Sequence, residues 1–452
     1  MQVTETLVDG LKREFKVVVP ATELDGRLIE RLNSLKDEVR IKGFRPGKVP
    51  LSHLKRLFGR SAMAEIVQDV ITEVARNTLS ERGEKAAMQP QYDLPEDQGE
   101  TNEVLAGNHD LAYTMSYEVL PKIDVVDFKT ISVERPTVEV ADAEVEEQLT
   151  RLADSTRSYT TKAGAADTGD RVTVSYLGKI DGEAFEGGTD DNAVIRIGDK
   201  RFIPGFEEQL VGLSTGDKKT ITVTFPEDYG AKQLAGKEAT FDIEVKAVAA
   251  GDEVAVDDKL AERLGLESLQ MLRDTVRQQL QQQYAQAIRQ RVKRQILDQL
   301  DEGHRFDLPA RLVDQEFETI WRQIVNELAN SGRTFEDEDT TEEKARDEYR
   351  KIAERRVRLG LVMSEIGERA KVEITDEELQ RAMAAQLRQV PGQEQALLDY
   401  YRQHPDALAS LRAPIFEEKV VDYLLELIEV SNKPMTVEEL MKQAEEDGLP
   451  TS

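Results

Sequence analysis

The sequence predicts a multidomain α+β protein. An N-terminal α/β domain with a helix–loop–helix tip precedes a compact antiparallel β domain, and an all-α C-terminal body follows. Three observations carry this. The chain has 452 residues, room for two to four domains at about 100–200 residues each. Eight of its 28 glycines fall between Gly178 and Gly216, alternating with short apolar runs, as in a small sheet joined by tight turns. Beyond about Asp257 the glycines thin out, and apolar residues recur every three or four positions, the period of a helix.

The elements follow from local patterns. Phe15, Val17 and Val19 alternate with less apolar neighbours until Pro20 stops the run, so a strand is expected there. Thr22 offers a helix cap, and Leu24, Leu28, Leu32, Leu35 and Val39 recur at helical spacing. Gly43, Pro46, Gly47 and Pro50 break the chain. A second helix presents Leu54, Leu57, Phe58, Ile66, Val67, Val70, Ile71 and Val74 as its buried face. Strict alternation from Leu111 through Tyr113, Met115 and Tyr117 to Val119 predicts a half-buried strand. In the glycine-rich region the expected strands are Arg171–Tyr176, Ala193–Ile197, Lys219–Phe225 and Thr240–Val248. A hairpin turn is expected at Asp181-Gly182, and a short helix near Glu207–Val211. Further on, one long helix is expected over Leu260–Leu300. Pro309 starts another, whose face is Leu312, Val313, Phe317, Ile320, Ile324 and Leu328. More helices are expected at Tyr349–Arg369, Asp376–Val390 and Pro414–Ser431. Glu336–Glu343 reads as a solvated acidic loop, and the last fifteen residues or so as a frayed acidic end.

Composition excludes several classes of chemistry. There are 88 acidic and 60 basic residues, a net charge of −28, which argues against wholesale coating of nucleic acid. No run of eighteen apolar residues exists, so no membrane helix is expected. The start, Met1 to Glu5, lacks the basic and apolar stretches of a secretory signal, and a cytoplasmic chain is expected. There is no cysteine, and the four histidines, His53, His109, His304 and His404, form no H-x-x-x-H pair. No phosphate-binding G-x-x-x-x-G-K-[ST] loop is present. Neither metal nor cofactor is expected. His304 and His404 read as surface residues near helix ends, and Trp321 as a packing anchor between helices.

One segment stands out by charge. From Val39 to Ala64 there are seven Lys and Arg residues and no acidic one, where about five would match the chain's average. The cations flank the loop Gly43-Phe44-Arg45-Pro46-Gly47-Lys48-Val49-Pro50. Two readings of the residues stand side by side: an aromatic apex between cations that grips a mixed surface of RNA phosphate and protein, or a solvated turn with Phe44 folded back on the hairpin. The octet resembles the ribosome-docking signature of the bacterial trigger factor family and lies at the matching place. The resemblance implies that Gly43, Phe44, Arg45, Pro46, Gly47 and Lys48 form the ribosome-binding site. Its partner would be the large subunit near the peptide exit tunnel, through both protein and RNA. The family often has a basic residue directly after the arginine. Pro46 stands there in this chain, which leaves one cation fewer for that contact.

The glycine-rich region resembles the FKBP-type peptidyl-prolyl isomerases. The matching strings are Gly169 to Tyr176, Asp181 to Phe185, Ile203-Pro204-Gly205-Phe206-Glu207, Phe225 to Gly230 and Phe241 to Val245, in the family's order and spacing. By resemblance, Tyr176, Phe185, Phe202 and Ile203 line a proline pocket together with Tyr229 and Phe241. Phe206 forms its floor, where the family commonly has tryptophan. Glu186 occupies the position of a family aspartate. The loop between Tyr229 and Phe241 is shorter than in small stand-alone members. Without the motif order, these aromatics would read as the core of a small β domain.

The helical remainder carries no chemical motif. The trigger factor resemblance implies a C-terminal body with arms that binds nascent and unfolded polypeptides through scattered apolar patches. Met363, Met383 and Leu387 are examples of such contacts, and each also fits a core role. The implied division is residues 1–112 for ribosome binding, 113–158 for a linker returning past the body and 159–248 for the isomerase. Residues 249–435 form the chaperone body, and 436–452 a flexible acidic tail. The whole reads as a ribosome-associated, ATP-independent chaperone that also isomerises X–Pro bonds, without membrane contact and with a homodimer off the ribosome. Two alternatives remain: a stand-alone FKBP-type isomerase with a helical dimerisation or scaffold region, and a binding protein that uses the isomerase fold as an extra grip.

Overall fold

The computed structural model describes all residues except 40, 42, 43, 45, 46, 96, 228, 231–233, 253, 254, 339 and 447–452. The side chains of residues 37, 38, 98, 186, 338, 405, 406, 445 and 446 are likewise outside the description. The chain forms two compact units, one of residues 1–136 and 289–433, the other of residues 137–288 and 434–452.

The chain opens with β1 (Gln2–Asp9), β2 (Lys12–Val19), α1 (Ala21–Glu38), α2 (Leu51–Arg82), β3 (Gln91–Asp93), α3 (Gln98–Ala106) and β4 (Leu111–Glu118). The strands make an antiparallel sheet in the order β1-β2-β4-β3. Phe15, Val17 and Val19 of β2 and the odd-numbered residues of β4 are buried, the face that the alternation specified. Leu24, Leu28 and Leu32 of α1 pack with Met63, Val70 and Val74 of α2 in the same core. Three expectations change. β1 was not foreseen, because it is exposed along its whole length and so shows no alternation. Thr22 is not the cap: Pro20 holds that position, and the Asp110 carboxylate accepts from the Ala21 N–H at 2.7 Å. Leu57 is 51% exposed, because it lies off the stripe centred on Leu54 and Met63. A short strand, β5 (Ser132–Thr137), follows.

The second unit contains α4 (Asp142–Ser155), β6 (Tyr159–Thr161), β7 (Arg171–Ile180), β8 (Glu183–Arg196), β9 (Lys218–Thr224), β10 (Glu238–Gly251) and α5 (Asp258–Arg263). A single 3-10 turn, Glu208–Leu210, stands where the short helix was expected. β10 is central, with β7 along one edge and β9 and β6 in succession along the other, and β8 completes the sheet beyond β7. The β7–β8 hairpin turns on Asp181 and Gly182, both at positive φ (52° and 85°), as a two-residue turn of this hand requires. β8 begins at Glu183 instead of Ala193. The pair Gly187-Gly188 lies inside this strand, where the sequence suggested loop, because the β7–β8 register shifts there and absorbs the irregularity.

The remaining elements are α6 (Leu269–Gly303), α7 (Ala310–Ser331), α8 (Glu342–Ala370), α9 (Asp376–Gln389), α10 (Glu394–Gln403), α11 (Pro405–Leu425), β11 (Glu429–Pro434) and α12 (Val437–Glu446). The expected Leu260–Leu300 helix is divided into α5 and α6. α5 ends at Arg263 and is followed by a positive-φ Gly265, and the Ser268 hydroxyl then caps α6 by accepting from the Met271 N–H. α11 starts nine residues before Pro414 and carries that proline inside. What was expected as its last turn is β11, which pairs with β5. The expected frayed end is helical over α12, with Leu440 and Ala444 buried. Trp321 is the anchor foreseen. It is stacked between Phe317 and Phe335, with the Arg346 guanidinium 4.3 Å from its ring centre. His304 is not a surface residue: it is 2% exposed. Its Nδ1 lies 2.6 Å from the Leu300 carbonyl, and its Nε2 accepts from the Val126 N–H. Met363 is 4% exposed and belongs to the core, whereas Met383 and Leu387 are half-buried on α9.

Candidate functional site

Phe206 is the centre from which the pocket is built. It is 1% exposed, stacks against Phe202 at 5.2 Å, and meets the rings of Tyr176 and Phe241 edge-on at 6.0 and 5.2 Å. β7 supplies Tyr176, β8 Phe185, and β10 Phe241, all from the twisted face of one sheet. Phe185 stands edge-on to Phe241 and Phe225. Its place depends on two bare backbone positions, since a Cβ on Gly178 or Gly188 would come within 2.8 Å of the Phe185 ring.

These rings enclose an open cavity of about 480 Å³. Tyr176, Phe185, Phe202, Ile203, Phe206, Tyr229 and Phe241 all face it. Glu186 lies in β8, and its side chain is outside the described residues. Sequence reasoning missed Phe225 and Leu234, which also line the cavity. Phe225 was within reach, because it opens the string that ends in Tyr229 and touches that ring at 4.7 Å. Among the described lining residues only Arg201 is charged. Burial raises the Tyr176 hydroxyl above its ordinary pKa, and the nearby Asp190 and Tyr229 act the same way, so it stays protonated and able to donate at neutral pH.

Glu207, which sequence reasoning gave no role, lies beneath the cavity wall. It is 4% exposed, yet its carboxylate is fully partnered. Oε2 accepts from the N–H groups of Gly198 and Lys200 at 2.8 and 3.0 Å, and Oε1 from those of Arg201 and Phe202 at 2.8 and 3.2 Å. Burial opposes its ionisation, but the four N–H donors outweigh it and the pKa is lowered.

At the other predicted site, Phe44 is 38% exposed, and its ring lies 5.0 Å from that of His53. It is neither fully projected nor folded away. The Gly47 N–H donates to the Lys36 carbonyl at 3.1 Å, which ties the loop to the end of α1. Gly43, Arg45 and Pro46 lie outside the described residues. Of the described cations, Lys55 pairs with Asp25 at 2.6 Å, and Arg60 donates to Asn102 at 2.6 Å. These side chains are held along the hairpin and do not project from its tip.

A compact antiparallel sheet with an aromatic pocket, inserted in the sequence between an α/β segment and a long helical one, has the architecture of an FKBP-type domain within a multidomain chain. The comparisons make this particular. The family model described as bacterial trigger factor protein matches residues 1–152, and that for the trigger factor C-terminus matches residues 268–426. The FKBP-type peptidyl-prolyl cis-trans isomerase model matches residues 162–246. The trigger factor of Rhizobium rhizogenes is 57% identical over 452 residues, 100% of this chain and 91% of that protein. That of Brucella abortus is 57% identical over 440 residues, covering 97% and 93%. A solved structure described as "Promiscuous Substrate Recognition in Folding and Assembly Activities of the Trigger Factor Chaperone" covers 94% of this chain and 99% of its own, at a TM-score of 0.47 and 22% identity. The chain belongs to the trigger factor family: it is a trigger factor chaperone with an FKBP-type domain. A stand-alone isomerase with a scaffold is not favoured, since the relatedness runs the length of the chain.

Proposed function

We propose that the aromatic cavity isomerises X–Pro peptide bonds while the rest of the chain holds unfolded and nascent polypeptide. The observation that carries this is the convergence of Tyr176, Phe185, Phe202, Ile203, Phe206 and Phe241 on one open apolar cavity. Rotation about a peptide bond faces a barrier of about 18–20 kcal/mol because the amide loses its resonance. The twisted X–Pro bond has lost charge separation, so an apolar cavity favours it over the planar ground state. No acid, base or nucleophile is needed. Phe206 would receive the flat face of the proline ring, and the Tyr176 hydroxyl would donate to a substrate carbonyl. Tyr229, 39% exposed, would close over the open side.

The basic tip would dock on the large ribosomal subunit near the exit tunnel through Phe44, Arg45 and Lys48, touching both protein and RNA. Release of clients needs no ATP, because weak apolar contacts are given up as a client buries its own apolar surface. The working division is residues 1–112 for docking, 113–158 for the returning linker, 159–248 for isomerisation and 249–435 for the chaperone body. The chain would act in the cytoplasm and form a homodimer off the ribosome.

The test is turnover of a short X–Pro peptide by the full chain and by Phe206→Ala and Phe202→Ala variants, with melting followed in parallel. The expected result is loss of turnover by about a hundredfold in Phe206→Ala and a smaller loss in Phe202→Ala, with suppression of client aggregation kept in both. Undiminished turnover in both variants would remove the cavity from the chemistry.

A further inference from the structure

The cavity wall formed by Phe202 and Ile203 belongs to no strand or helix. It is carried by the stretch 198–206, between the end of β8 and the 3-10 turn. Such a segment needs a separate cause for its fixed shape, because loop backbone ordinarily finds its partners in water. Here four of its N–H groups turn inward and converge on a single buried carboxylate, that of Glu207. Glu207 follows the floor residue Phe206 directly in sequence, so one side chain ties the wall to the floor.

We propose that Glu207 is a positioning residue for X–Pro isomerisation: its carboxylate sets the distance between the Phe206 floor and the Phe202–Ile203 wall. The inference rests on the reading of the cavity as an isomerase site. The chemistry requires an acceptor-only group, since four donors converge and a carboxylate offers about four lone-pair sites on two oxygens. Glutamine has the same shape but replaces two acceptor positions with a donating NH2. It would leave either the Gly198 and Lys200 pair or the Arg201 and Phe202 pair facing another donor. Such pairs separate, and a displacement of the wall by about 1 Å is enough to cost one to two orders of magnitude in a positioned reaction. Arg201 moves with the same stretch, so the cavity's one described charged lining residue is placed by the same carboxylate.

The experiment uses the full chain, its Glu207→Gln variant and its Glu207→Asp variant, with a short X–Pro peptide and amide NMR. The expected result for Glu207→Gln is a fall in kcat/KM of about tenfold or more. Upfield shifts are expected at the amides of Gly198, Lys200, Arg201 and Phe202, while amides of β7 and β10 stay in place. Glu207→Asp keeps the acceptors one methylene short and should recover part of both signals. A general loss of stability would move the β7 and β10 amides as well, and would overturn the specific role. Unchanged turnover in a folded Glu207→Gln chain would overturn the positioning role and leave the isomerase reading intact. An inert natural chain would overturn both.

Discussion

At the scale of single residues, the pocket depends as much on missing atoms as on rings. Gly178 and Gly188 leave room for Phe185 from two sides. Gly178→Ala should push that ring into the cavity and lower peptide turnover by about tenfold, with a loss of stability of about 1–3 kcal/mol from overpacking. Peptide kinetics and urea unfolding on the same sample check both. A second expectation concerns pH. Glu378 accepts from the Thr375 N–H at the start of α9 and pairs with Lys419. These contacts, the backbone one first, lower its pKa from 4.5 to about 2. A carboxyl whose folded pKa is depressed stabilises above its ordinary pKa and loses that contribution as pH falls through the folded value. The α9 cap should therefore hold at neutral pH and weaken between about pH 4.5 and 2. Side-chain NMR of Glu378 that titrates near 4 would contradict this. The aromatic residues of the cavity were legible because large apolar side chains at fixed spacing leave a mark in the sequence. Glu207 stands in one of the matching strings, but its role was not legible, since its partners are backbone N–H groups, which every residue type carries. His304 was misread for a similar reason: its burial depends on Val126, far away in the chain.

At the scale of elements, β5 shows how a helix can serve as a strand's neighbour. One edge pairs with β11, while Gln295 and Gln299 of α6 meet backbone groups of the strand through their amides. The Gln295 amide accepts from the Glu134 N–H and donates to its carbonyl, at 2.9 and 3.0 Å. Gln299 does the same for Ser132, at 3.2 and 2.8 Å. Helical spacing of four residues on α6 matches the two-residue repeat on one side of β5. Replacing either glutamine by leucine leaves one N–H and one C=O of β5 unpaired, which should cost about 1–3 kcal/mol. Hydrogen exchange at residues 132–134, compared with a distant helix, would reveal the loss; unaltered protection would contradict the pairing. Long periodic helices such as α7 and α8 were readable, because their apolar stripes pack on each other. Pro414 misled the reading of α11, since local rules place a boundary there while buried Val420, Val421 and Leu424 lie further along the same helix. β11 and α12 escaped because their partners lie in distant parts of the sequence.

At the scale of the whole molecule, charge and chemistry are divided. A net charge of −28 repels the chain from nucleic acid in general, while the acid-free stretch from Val39 to Ala64 remains basic and, under the proposed docking, would give binding an orientation. The cavity and the basic tip share no residue, so a variant in one should leave the other's function in place. The family and the coarse fold class were legible because three parts of the sequence each have their own signature: a charged loop, a motif-rich β domain and long periodic helices. The helical C-terminal part shows no chemical motif, and the proposed binding of diverse unfolded chains would require only dispersed apolar surface. The most direct measurement is ribosome co-sedimentation over a salt series, with the natural chain and a Phe44→Ala, Arg45→Ala, Lys48→Ala variant. The account predicts salt-sensitive binding that is lost in the variant, while turnover of a short X–Pro peptide is unchanged. Equal binding by the two chains at every salt concentration would contradict it.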